Sequence, residues 1–158
     1  MTRPKVPYTS QIYPDDVGSL SENGFKEMRG ALTEGRYIVF EYGGYALTNA
    51  GKPATDFTAT KATSSHSDVG QRWVVHALTT GGNKFTISSA RDGRYIGVHT
   101  RLVDNDSGAE TYTVGFQAGE GYALQKEDGE YITVDGSGIV KITSDVAYFK
   151  AYSVTYSS

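Results

Sequence analysis

The sequence predicts an all-β fold assembled from three similar units, and three observations carry that prediction. Composition is the first: of 158 residues only 38% are hydrophobic, while Gly at 19 and Tyr at 12 are abundant. Glycine supplies the positive φ of tight turns, and tyrosine fits the half-buried pleated surface of a strand. Patterning is the second, because beyond Gly35 short alternating segments recur at roughly ten-residue spacing, as in sandwiches and barrels. Internal repetition is the third: "YIVFEYGGYALT" (37 to 48), "FTISSARDGRYIGV" (85 to 98) and "YALQKEDGEYITV" (122 to 134) share one outline.

Each copy opens with a strand whose alternate residues are large and apolar: Tyr37 and Val39, Phe85 and Ile87, Tyr122 and Leu124. A glycine turn follows, then an aromatic-aliphatic strand: Gly44-Tyr45-Ala46-Leu47, Gly93-Arg94-Tyr95-Ile96 and Gly129-Glu130-Tyr131-Ile132. Each unit closes on an aromatic-x-Val strand, Trp73-Val74-Val75, Tyr112-Thr113-Val114 and Tyr152-Ser153-Val154. The first unit carries the longest insertion, rich in Ser, Thr, Gly and Ala, and its third strand is expected around Phe57-Thr58-Ala59. Three units of about 40 residues, none able to bury its own apolar face, must assemble around a shared core. Four strands per unit predict a β-trefoil over residues 34–158, a six-stranded barrel capped by three hairpins; a four-bladed propeller or a plain sandwich is the alternative. Phe85, Ile87, Tyr95 and Ile96 are expected in that core.

Residues 1–33 read differently. Pro4, Pro7 and Pro14 fall in a stretch without apolar period, which predicts an extended arm or linker. Ser19 and Glu22 then form a capping pair, and Phe25, Met28 and Leu32 fall on one face of a short helix. Gly24 and Gly30 limit it to a turn or two, since each costs about 1 kcal/mol relative to Ala.

A net charge of -3 without a block of like charges excludes the electrostatic footprint of a nucleic-acid or anionic-membrane binder. No apolar run approaches the ~20 residues of a membrane span. With no cysteine there is neither a disulfide framework nor a thiolate site. The N-terminus has no apolar leader, which fits a cytosolic chain or a piece of a longer one. Asn105-Asp106-Ser107 is a glycan acceptor only in a secretory setting.

Candidate chemistry is sparse. His66, His76 and His99 lack the spacing of a zinc site, so they read as solvent-facing or strand histidines. The stretch from Asp104 to Glu110 is rich in oxygen ligands but lacks calcium-loop spacing; an Asx turn is expected. There is no Gly-x-Ser-x-Gly elbow, and the Gly-rich pieces match hairpin turns rather than phosphate loops. No catalytic residue, metal site or cofactor is expected. Asp92, Arg94 and Glu130, near the repeat turns, are candidates to hydrogen-bond sugar hydroxyls while Tyr45 or Tyr95 stacks on a ring; a core role for these tyrosines competes. Gln71-Arg72-Trp73 resembles the Gln-x-Trp of ricin-type sugar-binding trefoils, where it braces the core; here Trp73 is expected buried and Gln71 bonded to backbone.

From about Asp16 the chain resembles the C-terminal region of secreted fungal phospholipases C of the phosphoesterase family. "DVGSLSENGFKEMRGALTEGRYIVFE", "GYALTN", "QRWVVH", "FTISSARDGRYIG", "YALQKEDGEYITV" and "YSVTY" carry the resemblance. It implies a secreted, non-catalytic module whose arm is the tail of a preceding catalytic domain; a monomer is expected. The expected partner is a glycan or cell-wall polysaccharide. A domain that only stabilises its catalytic neighbour is the alternative, as is a protein-interaction module similar to the fascin-like trefoils, a likeness of fold alone.

Overall fold

A computed structural model describes residues 25–32, 34–62, 69–79 and 82–154; the expected arm over 1–18 and the Ser19–Glu22 cap lie outside them. The described chain is all-β. Its strands are β1 (Phe25–Glu27), β2 (Ile38–Tyr42), β3 (Tyr45–Thr48), β4 (Thr58–Lys61), β5 (Trp73–Ala77), β6 (Lys84–Ser89), β7 (Tyr95–Ile96), β8 (Leu102–Val103), β9 (Tyr112–Gln117), β10 (Gly121–Gln125), β11 (Tyr131–Val134), β12 (Val140–Thr143) and β13 (Tyr148–Val154). Two short 3-10 turns, Val69–Gln71 and Asp106–Gly108, complete the described elements.

Six strands pair in a closed circuit. β2 pairs β5, β5 pairs β6, β6 pairs β9, β9 pairs β10, β10 pairs β13, and β13 returns to β2, every pair antiparallel. Closure leaves these strands without an open edge. Hairpins β3/β4, β7/β8 and β11/β12 extend from β2, β6 and β10.

The circuit repeats three times in register. Ile38 faces Trp73, Phe85 faces Tyr112, and Tyr122 faces Phe149. At the hairpins, Glu41 faces Ala46, Ser88 faces Tyr95, and Gln125 faces Tyr131. Side chains alternate across a strand, so one register fixes which residues point inward. Trp73, Tyr112 and Phe149 meet in the core with Phe40, Ile87 and Leu124, and with Leu47, Ile96 and Ile132 of the hairpins. Each is almost wholly buried, and each such burial is worth about 1.5–3 kcal/mol. Trp73 donates Nε1–H to Leu47 O at 2.9 Å, and Phe57 meets its ring edge-on at 6.0 Å. Gln71 braces this corner as expected, donating Nε2–H to Lys61 O at 2.8 Å.

Four sequence expectations are corrected. The helix carrying Phe25 is absent: Phe25–Glu27 is a strand, one more than three four-stranded units require. β10 pairs only Tyr148 and Phe149 of β13, and β1 takes over that side at Tyr152 through Val154. Met28 N–H continues the ladder to Ala151 O at 2.7 Å. Tertiary pairing overrides a helix preference already weakened by glycine.

The inward residues of β2 are Ile38 and Phe40, not Tyr37 and Val39. Tyr37 is 43% exposed, whereas Val39 lies in a second cluster with Phe25, Ala46, Ala62 and Tyr152. Both faces of this strand are buried, which erases the alternation that reveals register. The third closing aromatic is Phe149, not Tyr152, because Phe149 is the residue opposite Tyr122. Correspondingly, the hairpin equivalent of Tyr95 and Tyr131 in the first unit is Ala46, not Tyr45.

Candidate functional site

The threefold register also makes three positions on the opposite face of the sheet equivalent, and their occupants differ. At the first, Thr86 and Ser88 of β6 lie beside Val74 and His76 of β5. His76 Nε2 is 2.7 Å from Ser88 Oγ, and its ring centroid is 5.4 Å from that of Tyr95. Histidine and tyrosine fill the space. At the second, Val39 and Glu41 of β2 lie beside Tyr152 and Lys150 of β13. Tyr152 packs there with Ala46 and with Phe25 of β1, which covers the position.

At the third position Gly115 stands where the others have His76 and Tyr152. It faces Ala123, while Thr113 faces Gln125 and Gln125 faces Tyr131. A cleft of about 220 Å³ opens there, lined by Phe116, Tyr131, Tyr148 and Val146 with the amides of Gln117 and Gln125. A Cβ on Gly115 would meet nothing within 4 Å. The cleft is therefore a missing side chain in a repeat that is otherwise filled. Phe116 is 36% exposed but held from behind, its ring 5.0 Å from that of buried Tyr122. Tyr122 is fixed in turn by donating Oη–H to Gly30 O at 2.6 Å.

A second cleft of about 550 Å³ adjoins the first, sharing Thr113 and Gln125. Leu78, Lys84, Thr111, Lys126, Glu127 and Gly129 complete its lining. Lys126 is buried, and its Nζ lies 3.2 Å from Asp128 Oδ2. The Glu110 carboxylate, also buried, accepts Glu127 N–H at 2.9 Å and fixes the turn.

The five residues expected to bind sugar are not brought together. Arg94, expected at the surface, is buried with its guanidinium committed. Nε donates to Asp92 Oδ2 at 3.0 Å, Nη1 to Ala54 O at 2.6 Å and Nη2 to Asn49 Oδ1 at 3.3 Å. The planar fork reaches a carboxylate, a backbone carbonyl and a side-chain amide oxygen at once, which offsets the cost of burying its charge. Asp92 also accepts from Asn49 Nδ2 and from Arg94 N–H. Partial burial raises its pKa, but these hydrogen bonds and the Arg94 charge outweigh it and hold the carboxyl below its ordinary value. Asp92 and Arg94 thus brace a turn.

Tyr95, expected in the core, is instead half-buried on the opposite face, where it packs on His76; Tyr45 lies half-buried against Gly138, where an added Cβ would approach its ring to 2.6 Å. Glu130 is exposed on the turn before Tyr131 but does not line the cleft. Its backbone N–H donates to Asp128 Oδ1 at 3.0 Å, the counterpart of the Arg94-to-Asp92 bond. Tyr131 is the repeat counterpart of Tyr95, and it does line the cleft.

The sequence reading missed Phe116, Gln117, Gln125 and Tyr148. The one local trace of them is the interior glycine of "YTVGFQ", since glycine inside a strand leaves no side chain to pack.

The stretch around Asn105 forms the expected Asx turn, with Asn105 Oδ1 accepting Ser107 N–H at 3.2 Å. Among the described residues no three His, Cys, Asp or Glu side chains are placed to hold a metal ion, and no helix is long and apolar enough to cross a membrane. No protein-family model matches the chain, and no curated protein matches it.

Proposed function

We propose that the chain is a β-trefoil acting as a non-catalytic accessory module of a secreted hydrolase, with carbohydrate bound in the cleft at Gly115. The trefoil reading is supported by the closed six-strand circuit, its three hairpins and the threefold register of Ile38–Trp73, Phe85–Tyr112 and Tyr122–Phe149. The cleft carries the binding reading. Tyrosine and phenylalanine rings bury the apolar face of a pyranose, while glutamine amides and threonine hydroxyls both donate to and accept from its hydroxyls. Exposed apolar side chains support the same place: Leu78, Phe116 and Val146, three of the six large exposed hydrophobics among the described residues, line the paired clefts.

The resemblance to phospholipase C tails is what supports a catalytic domain as neighbour, one whose substrate lies in a glycan-rich or lipid-rich setting. Tethering then raises local concentration without any catalytic group in the module. The test is Gly115→His, which rebuilds the His76–Tyr95 arrangement over Tyr131. Because the site is open and its backbone is not in the positive-φ region, unfolding free energy should stay within about 0.5 kcal/mol of wild type. Pull-down on glucan, chitin, mannan and galactan should be lost. Full retention of polysaccharide binding by the variant, or none by the wild type, refutes the assignment. Lower stability of the full-length enzyme on removal of residues 34–158, with unchanged targeting, would leave the module a purely structural role.

A further inference from the structure

We infer that the ligand is a neutral oligosaccharide of at least two sugar units, seated across both clefts; this rests on the carbohydrate-binding reading of the Gly115 cleft. The first cleft, at about 220 Å³, falls below the about 300–1,000 Å³ of ordinary ligand pockets. It suits a single ring. The adjoining cleft of about 550 Å³ continues from it over a common wall, Thr113 and Gln125. A chain leaving the first cleft past Thr113 and Gln125, which belong to both linings, enters the second.

The lining of the second cleft fixes the charge of what it holds. Lys126 is matched by Asp128 at 3.2 Å, which leaves Lys84 and Glu127 as opposite charges on the same lining. Lys84 Nζ donates to Thr113 Oγ1 at 3.3 Å, so its ammonium sits at the junction of the clefts. An acidic sugar would gain at Lys84 and lose at Glu127, whereas hydroxyls accept from one and donate to the other. Leu78, 51% exposed, offers an apolar surface to the second ring.

The experiment is a backbone-amide NMR titration of the full chain with glucose, mannose, galactose and N-acetylglucosamine, with their neutral tetramers, and with tetragalacturonate. A neutral tetramer should bind at least tenfold more tightly than its monosaccharide. Both ligands should shift Gly115 and Gln117, and the tetramer alone should also shift Lys126, Glu127 and Gly129. Leu78→Asp and Lys84→Ala, at exposed positions, should each erase most of the tetramer's advantage and leave the monosaccharide unaffected. Equal affinities, or an advantage that survives both substitutions, overturn the two-cleft seat. Tightest binding by tetragalacturonate overturns the neutral assignment. No response at Gly115 to any saccharide removes the carbohydrate reading itself, a result distinct from either of these.

Discussion

Glu41 shows how much one side chain can store in this fold. It is 2% exposed, and its carboxylate accepts Gly44 N–H at 2.7 Å across the β2–β3 turn. Desolvation dominates its titration. It outweighs that hydrogen bond and the Lys150 charge on β13, is reinforced by Glu27 on β1, and pushes the pKa from 4.5 up to about 7. The native state therefore holds a proton that an unfolded chain releases near pH 4.5, so this contribution is complete below that pH and is lost as pH rises through about 7. The swing is up to about 3 kcal/mol. Glu41→Gln keeps an acceptor for Gly44 and removes the titration. Urea unfolding at pH 5 and pH 8 should show the variant gaining on wild type by that order between the two; a constant difference contradicts the assignment. The sequence reading did not select Glu41, because a glutamate near the end of an apolar strand carries no mark of the strand β13 that buries it.

β1 is the element at which local signal and tertiary structure part. Phe25, Met28 and Leu32 have helical spacing, but the residues are needed as an edge for β13 beyond the reach of β10. Phe25 then fills the second cluster beneath the Arg72 guanidinium, 5.8 Å from its ring. The two readings predict opposite signs at Gly30. In a helix Gly30→Ala would stabilise by about 1 kcal/mol. Gly30 instead has φ +78, where a Cβ is strained, and its carbonyl receives the Tyr122 hydroxyl; the substitution should cost about 1 kcal/mol or more. Thermal unfolding of the single variant decides the sign. The repeats were legible wherever a strand keeps one face polar, as in β6, β7 and β11, where Phe85, Ile87, Ile96 and Ile132 lie in the core. They misled where both faces are apolar or aromatics crowd one strand, as in β2 and in "YFKAYSV". The cleft was illegible because it is defined by a missing side chain. Gly115 becomes informative only when set against His76 and Tyr152, and that comparison needs the correct register of β13.

At the scale of the whole molecule, the three units share one core, and no unit's inward face is complete without the other two. Trp73, Tyr112 and Phe149 come from different units, are almost fully buried, and belong to a single cluster. The closing contacts join the ends of the chain, since β2 pairs β13 from Ser153–Ile38 through Lys150–Glu41. Such pairings cost loop-closure entropy before they return any burial, which favours all-or-none folding over unit-by-unit assembly. Trp73→Ala and Phe149→Ala should therefore each lower stability by about 3–5 kcal/mol, although they lie in the first and third units. In each variant, tryptophan-independent probes such as far-ultraviolet dichroism and amide exchange should report one transition with an unchanged denaturant slope. Two transitions, or exchange accelerated only in the mutated unit, would show units that fold separately. Tyr152→Ala supplies the internal comparison. Tyr152 is aromatic and buried but lies in the second cluster, so its removal should leave Trp73 in its native environment, whereas Phe149→Ala should disturb it. Near-ultraviolet dichroism of the single tryptophan distinguishes them; a disturbance by Tyr152→Ala as large as that by Phe149→Ala contradicts the separation of the two clusters, and one by Tyr152→Ala alone would place Tyr152, not Phe149, in the threefold core.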